Sequence, residues 1–409
     1  MAENRLRIAV TGTGLVCPAG MNVPTSWDFV LSGKSSAAKC RQLEGLEIDY
    51  ACSLTDFDPD KLLGRSLARR IDRFIQLALV SYRQAVAEAG LDPAKWNGKR
   101  IGVVVGNSLA GIERFLSEQH VLESEGERMV SPSTIPGAMM NMVAGQIAID
   151  CHATGPSLLV STACASGITA VDTACNLIKE GRCDVVIAGA TEAPIVPLIV
   201  SSMNRLGALS KNSDIKHASK PFDRDRDGFV ISEGAGFMIL ESEEHASARG
   251  QEILALISGV GTSTDAYHVT TPQPQGRGLS EAIQQALENA GLKGKDIQYV
   301  NAHGTSTPLN DITESRVIEK EIGRHAPVSS LKGAIGHTLA AAGAVETVLT
   351  ILSVKHGIIP PTANLINLDP DINLDIVFGK PRELNIRHAL KLSMGFGGHN
   401  GALIISSNN

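Results

Sequence analysis

The chain has 409 residues, of which 43% are hydrophobic and 4% aromatic, and its formal net charge is −6. This composition supplies enough apolar surface for a large core and excludes a fibrous or a disordered protein. The acidic balance gives no general electrostatic reason to bind nucleic acid. Long stretches rich in Ala, Val, Ile and Gly are typical of helices packed on buried strands, so the composition predicts an α/β protein.

Targeting signals and cysteine usage bear on the compartment. The first apolar run stops at Thr11, which is too short for a signal peptide, and no stretch reaches the roughly 18 apolar residues of a membrane span. The seven cysteines are odd in number and contain no C-x-x-C pair, which argues against disulfides and structural zinc. The sequence therefore predicts a cytoplasmic protein without membrane contact.

Elements of the first part of the chain recur in the second part. A strand runs into a glycine-rich turn at 8–14 and again at 257–263, and a helix, a Gly-Leu stop, a polar turn and a buried strand begin near Ala85 and again near Ala286. Small-residue turns open long apolar helices after Ser161 and Ser330, and strands follow at 184–189 and 401–406. The repeats predict two duplicated α/β halves, residues 1–252 and 253–409, with sheets and helices in layers.

Basic residues recur every four positions between the first strand and the first long helix. If the segment is helical, they form one cationic stripe that could meet an acidic partner. An ordinary solvated helix face gives the same pattern, so the spacing alone leaves both readings open. The four residues are Lys61, Arg65, Arg69 and Arg73.

Cys164 follows a strand-like run that ends at Val160 and stands at the start of a predicted helix. A helix N-terminus presents free N–H groups and a partial positive charge, which lower the pKa of a thiol and stabilise an oxyanion. A lone cysteine is more often a buried structural residue. Two histidines flanked by small residues, His303 and His337, favour a shared site, and the residue types alone allow either thiolate catalysis or zinc binding.

Six motifs occur in one order along the chain: TACASG, PFDRDRDGFVISEGAG, DAYHVTTPQPQG, NAHGTSTPLND, SSLKGAIGHTLAAAGAVE and GFGGHNG. With them the chain resembles, over essentially its whole length, the elongating β-ketoacyl-acyl carrier protein synthases of the thiolase superfamily. The resemblance implies a thiolase-like fold with αβαβα layers. It implies decarboxylative condensation of an acyl group held on Cys164 with malonyl-acyl carrier protein, without a cofactor. It also implies an acyl carrier protein as partner and a homodimer, or a heterodimer with a ketosynthase-like subunit.

The same resemblance implies a role for individual residues. Cys164 is the nucleophile, His303 and His337 bind the malonyl thioester carbonyl, and Lys332 organises the site through Glu346. The resemblance also implies an oxyanion hole at the backbone of Cys164 and Phe396, a gate at Phe396, and support from Asp311 and Glu314. It implies pantetheine binding by Thr270, Thr305 and Thr307, and an acyl pocket lined by Leu109, Met203 and Met394. It further implies carrier docking on Lys61, Arg65, Arg69 and Arg73, and it matches Asn301, Glu346 and Ser393 with a place where some relatives hold a structural cation.

Departures from the family pattern leave alternatives open. Methionines at 203 and 394 replace usual aromatic residues, so a specialised polyketide or polyene pathway stands beside primary fatty acid synthesis. A noncatalytic partner of the chain-length-factor type would lack the nucleophile, whereas Cys164 is present. Thiolases need a second cysteine late in the chain, and no cysteine follows Cys183.

Overall fold

The computed structural model describes residues 7–408. Its strands are β1 Ile8–Val16, β2 Ala38–Lys39, β3 Tyr50–Ala51, β4 Ile101–Gly106, β5 Ser157–Val160, β6 Val185–Glu192, β7 Gly234–Ser242, β8 Ala255–Thr264, β9 Tyr299–Asn301, β10 Val328–Ser329, β11 Ile358–Ile359, β12 Arg382–Glu383, β13 His388–Gly395 and β14 His399–Ser406.

The helices within the same residues are α1 Val23–Leu31, α2 Pro59–Leu63, α3 Arg65–Ala68, α4 Arg73–Glu88, α5 Ile112–Glu125, α6 Thr134–Ala138, α7 Met142–Asp150, α8 Ser166–Lys179, α9 Pro197–Arg205, α10 Glu243–Ala248, α11 Arg277–Ala290, α12 Pro308–Glu321, α13 Lys332–Ile335 and α14 Ala342–His356.

Ten strands form one sheet in the order β10-β9-β13-β14-β8-β1-β7-β6-β4-β5. The five on one side come from the first half of the chain and the five on the other side from the second half. The halves join where β1 and β8 pair antiparallel, with Ile8 opposite Ile257. The strand order reads the same outward from this seam in both halves, which confirms the predicted duplication. The boundary at residue 252 stays a prediction.

One predicted correspondence between the halves is wrong. The sequence repeats matched the strand at 184–189 with the strand at 401–406. By position in the sheet, β6 corresponds to β13 and β7 corresponds to β14. The error arose because β13 and β14 are both short apolar runs, and a short apolar run carries no information about its neighbours in a sheet.

The helices complete five layers. Helices α8 and α14 lie between the two half-sheets, in a core shared by residues of both halves. Helices α4 and α7 cover the outer face of the first half-sheet, and α11 and α12 cover the outer face of the second. Each half-sheet is thus buried on both faces, as its near-continuous apolar strands require. The predicted layered αβαβα arrangement is confirmed.

One stretch, Leu339–His356, is long and apolar enough to cross a membrane by length and composition alone, contrary to the expectation that none exists. It comprises α14 and the turn before it, and 83% of it is buried inside the protein. Its apolar character is therefore explained by its position between two half-sheets.

The cationic stripe does not form as predicted. Gly64, with φ of +82°, separates α2 from α3, and a further break precedes α4, so no single helix carries all four basic residues. Arg73 turns inward, where its guanidinium pairs with Glu233 through an Nη2–Oε1 contact of 2.8 Å. Lys61, Arg65 and Arg69 remain exposed. The four-residue spacing was interpreted as one continuous helix, and the structure contradicts that interpretation.

Two glycines determine how closely the central helices cross. A Cβ atom on Gly167 of α8 would lie 2.3 Å from the backbone nitrogen of Ala344 and 2.7 Å from the carbonyl carbon of Gly343 in α14. Only residues without side chains allow this approach. Because the crossing lies near the N-termini of both helices, the residues that precede α8 and α14 are brought together at one place.

Candidate active site

Residues that precede the two central helices open into one cavity of about 520 Å³. Cys164, two residues before α8, lines it together with His337, which precedes α14, and with His303, which follows β9. Phe396, from the turn between β13 and β14, completes the group. The structure therefore brings together four of the residues singled out by the sequence, although they lie in four separate segments of the chain.

The cysteine is presented by a strained turn. Ala163, immediately before it, has φ of +49°, a left-handed conformation that is unfavourable for alanine. Ser306 beyond His303 and Leu339 beyond His337 have φ of +68° and +46°. Such backbone conformations persist only where surrounding structure holds them, and they cluster at functional sites. The segments that carry Cys164, His303 and His337 thus each contain one such residue.

Burial raises the pKa of the Cys164 thiol to about 12, although the positive charge of Lys332 opposes the shift. Burial thus outweighs the lowering of the pKa that is expected from the start of α8. The thiol packs against an apolar cluster that includes Ile195, Leu339 and Phe229, and removing a thiolate from water costs more than the nearby positive charges return. Cys164 is therefore a neutral thiol at pH 7.

The rings of His303 and His337 are in contact in an edge-to-face arrangement. Their centroids are 5.3 Å apart and their planes lie at 81°, and the ring of Phe229 stands 5.0 Å from that of His337. Burial, followed by the charge of Lys332, holds the pKa of both imidazoles well below the usual value. Both rings are therefore neutral at pH 7, and each offers one N–H donor and one nitrogen lone pair.

Lys332 is buried beside the histidines and donates from Nζ to the carbonyl oxygen of His303 at 2.6 Å. The same ammonium pairs with Glu346 Oε1 at 2.6 Å, which confirms the predicted pairing. Glu346 belongs to α14 and His303 to the loop after β9. The lysine therefore ties the histidine loop to the central helix.

Glu314 also holds the histidine loop. Its carboxylate accepts the N–H of His303 at 2.6 Å and the N–H of Gly304 at 2.8 Å. Asp311 accepts the N–H of Phe222 at 2.9 Å, and the amide of Asn310 donates to both acids. Of the two acids expected to support the loop, Glu314 is the one that accepts the N–H of His303.

Two backbone N–H groups near the thiol are free to meet a ligand. Within residues 7–408, those of Cys164 and Phe396 donate to no other backbone group. Gly395 approaches the nucleophile turn so closely that a Cβ there would lie 2.7 Å from the carbonyl oxygen of Thr162 and 3.0 Å from the nitrogen of Cys164. The turn that follows has Gly397 and Gly398 with φ of +87° and +77°, conformations that glycine adopts without strain.

The remaining predicted pocket residues line the same cavity. The hydroxyls of Thr305 and Thr307 lie 2.8 Å apart, and Thr270 is half-buried in the segment after β8. The other members are the apolar side chains of Leu109, Met203 and Met394.

The residues considered for a structural cation do not fit a metal ion. Lys391 Nζ lies 2.6 Å from Glu346 Oε2, so an ammonium already stands against the only carboxylate of the donor set. Asn301 and Ser393 contribute only neutral oxygens. We derive no step that involves a metal.

Sequence reasoning missed several residues at the site. Phe229 lies within the motif PFDRDRDGFVISEGAG but was given no role, and no motif contains Lys391. Glu192, fully buried at the end of β6, accepts hydrogen bonds from the backbone of Ser108 and Leu109 and so holds the turn that carries Leu109. A charged residue inside an otherwise apolar strand was the available signal for Glu192 and Lys391.

Comparisons with known proteins agree over nearly the whole chain. The family model "Beta-ketoacyl synthase, N-terminal domain" matches residues 5–246, and "Beta-ketoacyl synthase, C-terminal domain" matches residues 254–366. The chain is 41% identical to 3-oxoacyl-[acyl-carrier-protein] synthase 2 of Staphylococcus aureus (strain COL), with 99% of each chain covered.

Two solved structures share the fold. One is a type II PKS acyl-carrier protein in complex with its ketosynthase bound to the hexaketide, with a TM-score of 0.91, 32% identity, and 99% of this chain and 100% of that chain covered. The other is the ishigamide ketosynthase/chain length factor, with a TM-score of 0.93, 30% identity and the same coverage. At these TM-scores the agreement extends through both halves.

Proposed function

The chain belongs to the β-ketoacyl synthase family, and from that premise we propose that it condenses an acyl group held on Cys164 with malonyl-acyl carrier protein. The observation that carries this proposal is the single cavity shared by Cys164, His303 and His337. A thiol supplies the acyl acceptor, and two neutral imidazoles supply donors for a developing enolate. The product is a β-ketoacyl-acyl carrier protein.

In the first step, Cys164 takes the acyl group from its carrier. The sulfur attacks the thioester carbonyl, a new C–S bond forms, and the bond to the pantetheine sulfur breaks. Because Cys164 is a neutral thiol, its proton has to leave as the sulfur attacks. The neutral imidazoles beside it can accept that proton and return it to the departing pantetheine thiolate.

In the second step, the malonyl group loses carbon dioxide. The bond between the carboxylate carbon and the methylene carbon breaks, and its electron pair moves onto the thioester oxygen as an enolate. The N–H groups of His303 and His337 stabilise that oxygen, and since both rings are neutral they donate without giving up a proton. Lys332 and Glu314 hold the loop that carries His303.

In the third step, the enolate carbon attacks the acyl carbonyl on Cys164. A C–C bond forms, and the tetrahedral oxyanion lies between the backbone N–H groups of Cys164 and Phe396. The oxyanion then collapses, the C–S bond breaks, and the Cys164 thiolate takes up from solvent the one proton that the overall condensation consumes. Phe396 stands on a glycine turn and would move aside to admit each substrate.

The carrier reaches the thiol through its phosphopantetheine arm. Thr270, Thr305 and Thr307 line the cavity with hydroxyls suited to the amides of that arm. Exposed Lys61, Arg65 and Arg69 offer positive charge to an acidic carrier protein. The solved relative described as a carrier protein in complex with its ketosynthase supports this partner.

A second ketosynthase-like subunit is the other partner that we propose. Strand β5 stands at the outer edge of the ten-stranded sheet, where its main-chain groups face no further strand of the described chain. Ile149 and Leu158 nearby are 66% and 38% exposed. An unprotected apolar edge is a ready pairing surface. We therefore propose a dimer, either of two copies or with a chain-length-factor-like subunit.

We place this chemistry in the cytoplasm, in fatty acid or type II polyketide or polyene synthesis. All seven cysteines are free, as expected in a reducing compartment. The flexible methionines of the acyl pocket, Met203 and Met394, are compatible with either kind of chain.

The proposal is tested by incubating the purified protein with a panel of acyl-carrier proteins and following intact mass. We expect an acyl adduct on wild-type protein that disappears when malonyl-carrier protein is added and a β-ketoacyl product forms. The Cys164→Ala variant should form no adduct and lose condensation by orders of magnitude.

The matched control is Cys183→Ala, because Cys183 is a free cysteine that is buried outside the cavity. It should acylate as wild type does. Normal condensation by Cys164→Ala would overturn the proposal. Failure of every carrier-linked chain to acylate wild-type protein would instead indicate a noncatalytic partner subunit.

A further inference from the structure

Lys391 is a buried lysine that none of the proposed catalytic steps uses. It lies on β13, is fully buried, and is opposite Asn301 in the register with β9. Its neighbours at 390 and 392 belong to the outer core with α11 and α12, so strand alternation directs Lys391 and Ser393 to the opposite face, toward α14. There Lys391 Nζ lies 2.6 Å from Glu346 Oε2.

Oxygen atoms of three residues around Lys391 lack hydrogen-bond partners. Within the described residues, Asn301 Oδ1, Ser393 Oγ and Glu346 Oε2 are buried without a hydrogen bond. The contact from Lys391 to Glu346 Oε2 is thus an ion pair rather than an aligned hydrogen bond, and Nζ donates instead to the carbonyl oxygen of Leu392. Buried oxygens of this kind normally require a cation or a donor.

The contacts of Glu346 link Lys391 to the active site. One carboxylate oxygen faces Lys391 and the other faces Lys332, each at 2.6 Å. Lys332 in turn donates to the carbonyl oxygen of His303. If the charge of Lys391 were lost, Glu346 would have one buried positive partner instead of two, and its carboxylate would be drawn toward Lys332.

We propose that the ammonium of Lys391 serves as a built-in cation for the carboxylate of Glu346, and that it positions His303 through Glu346 and Lys332. Lys391 is a positioning residue, since it touches no residue that contacts the reacting atoms. The positive charge also reaches the histidines, because Lys391 contributes to lowering the pKa of both imidazoles. It thus helps to keep them neutral.

The first test uses the wild-type enzyme and needs no variant. A protein that carries its own cation should condense at the same rate in Na⁺, K⁺ or choline buffers of equal ionic strength. A crystal grown with Rb⁺ should show no anomalous peak beside Glu346. Monovalent-metal dependence of the rate, or a Rb⁺ peak there, would overturn the proposal.

The second test compares two variants that differ in the space they leave. Lys391→Ser opens room for an ion beside Glu346, whereas Lys391→Met fills the volume without charge. We expect both to lower kcat by about 10- to 100-fold with little change in KM. K⁺ or Rb⁺ should restore Lys391→Ser and leave Lys391→Met unchanged, and Rb⁺ should appear beside Glu346 in crystals of Lys391→Ser.

The control is Lys380→Ser, at an exposed lysine outside the cavity, which should behave as wild type. A normal kcat in both Lys391 variants would overturn the inference, as would a folded Lys391→Ser that no alkali ion restores. The kinetic readout rests on the proposed function, whereas the Rb⁺ sites do not. An inactive wild type with the expected Rb⁺ result would therefore count against the function alone.

Discussion

The environment of Cys164 combines two opposing effects on one thiol. Its position before α8 and the nearby charge of Lys332 favour the thiolate, while apolar neighbours disfavour it, and burial has the larger effect. The sequence indicated only the effect that favours the thiolate, because the start of a helix can be recognised from neighbouring residues. The apolar neighbours come from distant parts of the chain. Because the effect of burial is the larger one, the site keeps the thiol of Cys164 protonated until substrate arrives.

The pH dependence of Cys164 alkylation tests this balance. Since burial raises the pKa of the thiol to about 12, the thiolate fraction of the empty enzyme should rise about tenfold for each pH unit across the neutral and mildly alkaline range. Alkylation by iodoacetamide, followed by peptide mass spectrometry between pH 6.5 and about 9.5, should therefore climb without a plateau. A plateau near neutral pH would mean that the helix start and Lys332 outweigh burial.

The sequence predicted the residues of the active site where a motif identified them. Cys164, His303, His337 and Phe396 were all named, and all line the cavity. The sequence assigned Arg73 to a surface stripe and gave Lys391 no role, because their respective partners, Glu233 and Glu346, are far away in the sequence. A buried ion pair is defined by both members, and neither spacing nor periodicity identifies the second.

At the scale of elements, close approach between segments shapes the site. The end of β13 meets the turn before α8 at Gly395, and the two central helices meet at Gly167 and Gly343. The sequence repeats indicated which helices and strands exist in each half. They matched β1 with β8 and β4 with β9 correctly, but they matched β6 with β14, since the repeats carry no information on which of the neighbours β13 and β14 is equivalent to β6.

Gly395→Ala should disturb this approach without unfolding the protein. The new Cβ would lie 2.7 Å from the Thr162 oxygen and 3.0 Å from the Cys164 nitrogen, so the cysteine turn or the Phe396 turn has to shift. We expect the rate of acyl transfer to Cys164 to fall by about a hundredfold, as measured by single-turnover mass spectrometry.

The matched control is Gly145→Ala in α7, where a Cβ would meet nothing within 4 Å. That variant should acylate normally and gain about 0.5–1 kcal/mol in free energy of unfolding, because alanine is the better helix former. Wild-type acylation by Gly395→Ala would show that the two turns can separate at no cost to the reaction.

At the scale of the whole molecule, the sheet has two ends with different surroundings. The first half-sheet ends at β5, whose residues are exposed or half-buried, whereas the second ends at β10, which is buried. An internal duplication alone would make the two ends alike. The difference therefore indicates that the first half carries an additional contact, and the exposed apolar side chains beside β5 suit a protein partner.

Leu158→Lys tests that contact by placing a charge on the exposed edge strand. Burying an unpaired ammonium between two subunits should weaken association by at least about 30-fold, since a central interface residue contributes 2 kcal/mol or more. Light scattering should show wild-type protein as a dimer and Leu158→Lys as a monomer. The control Ile366→Lys, at a more exposed apolar residue of the second half, should remain a dimer. If wild type is monomeric alone, a co-expressed ketosynthase-like subunit should bind wild type and not Leu158→Lys. Association that tolerates lysine at 158 in both settings would place the interface elsewhere.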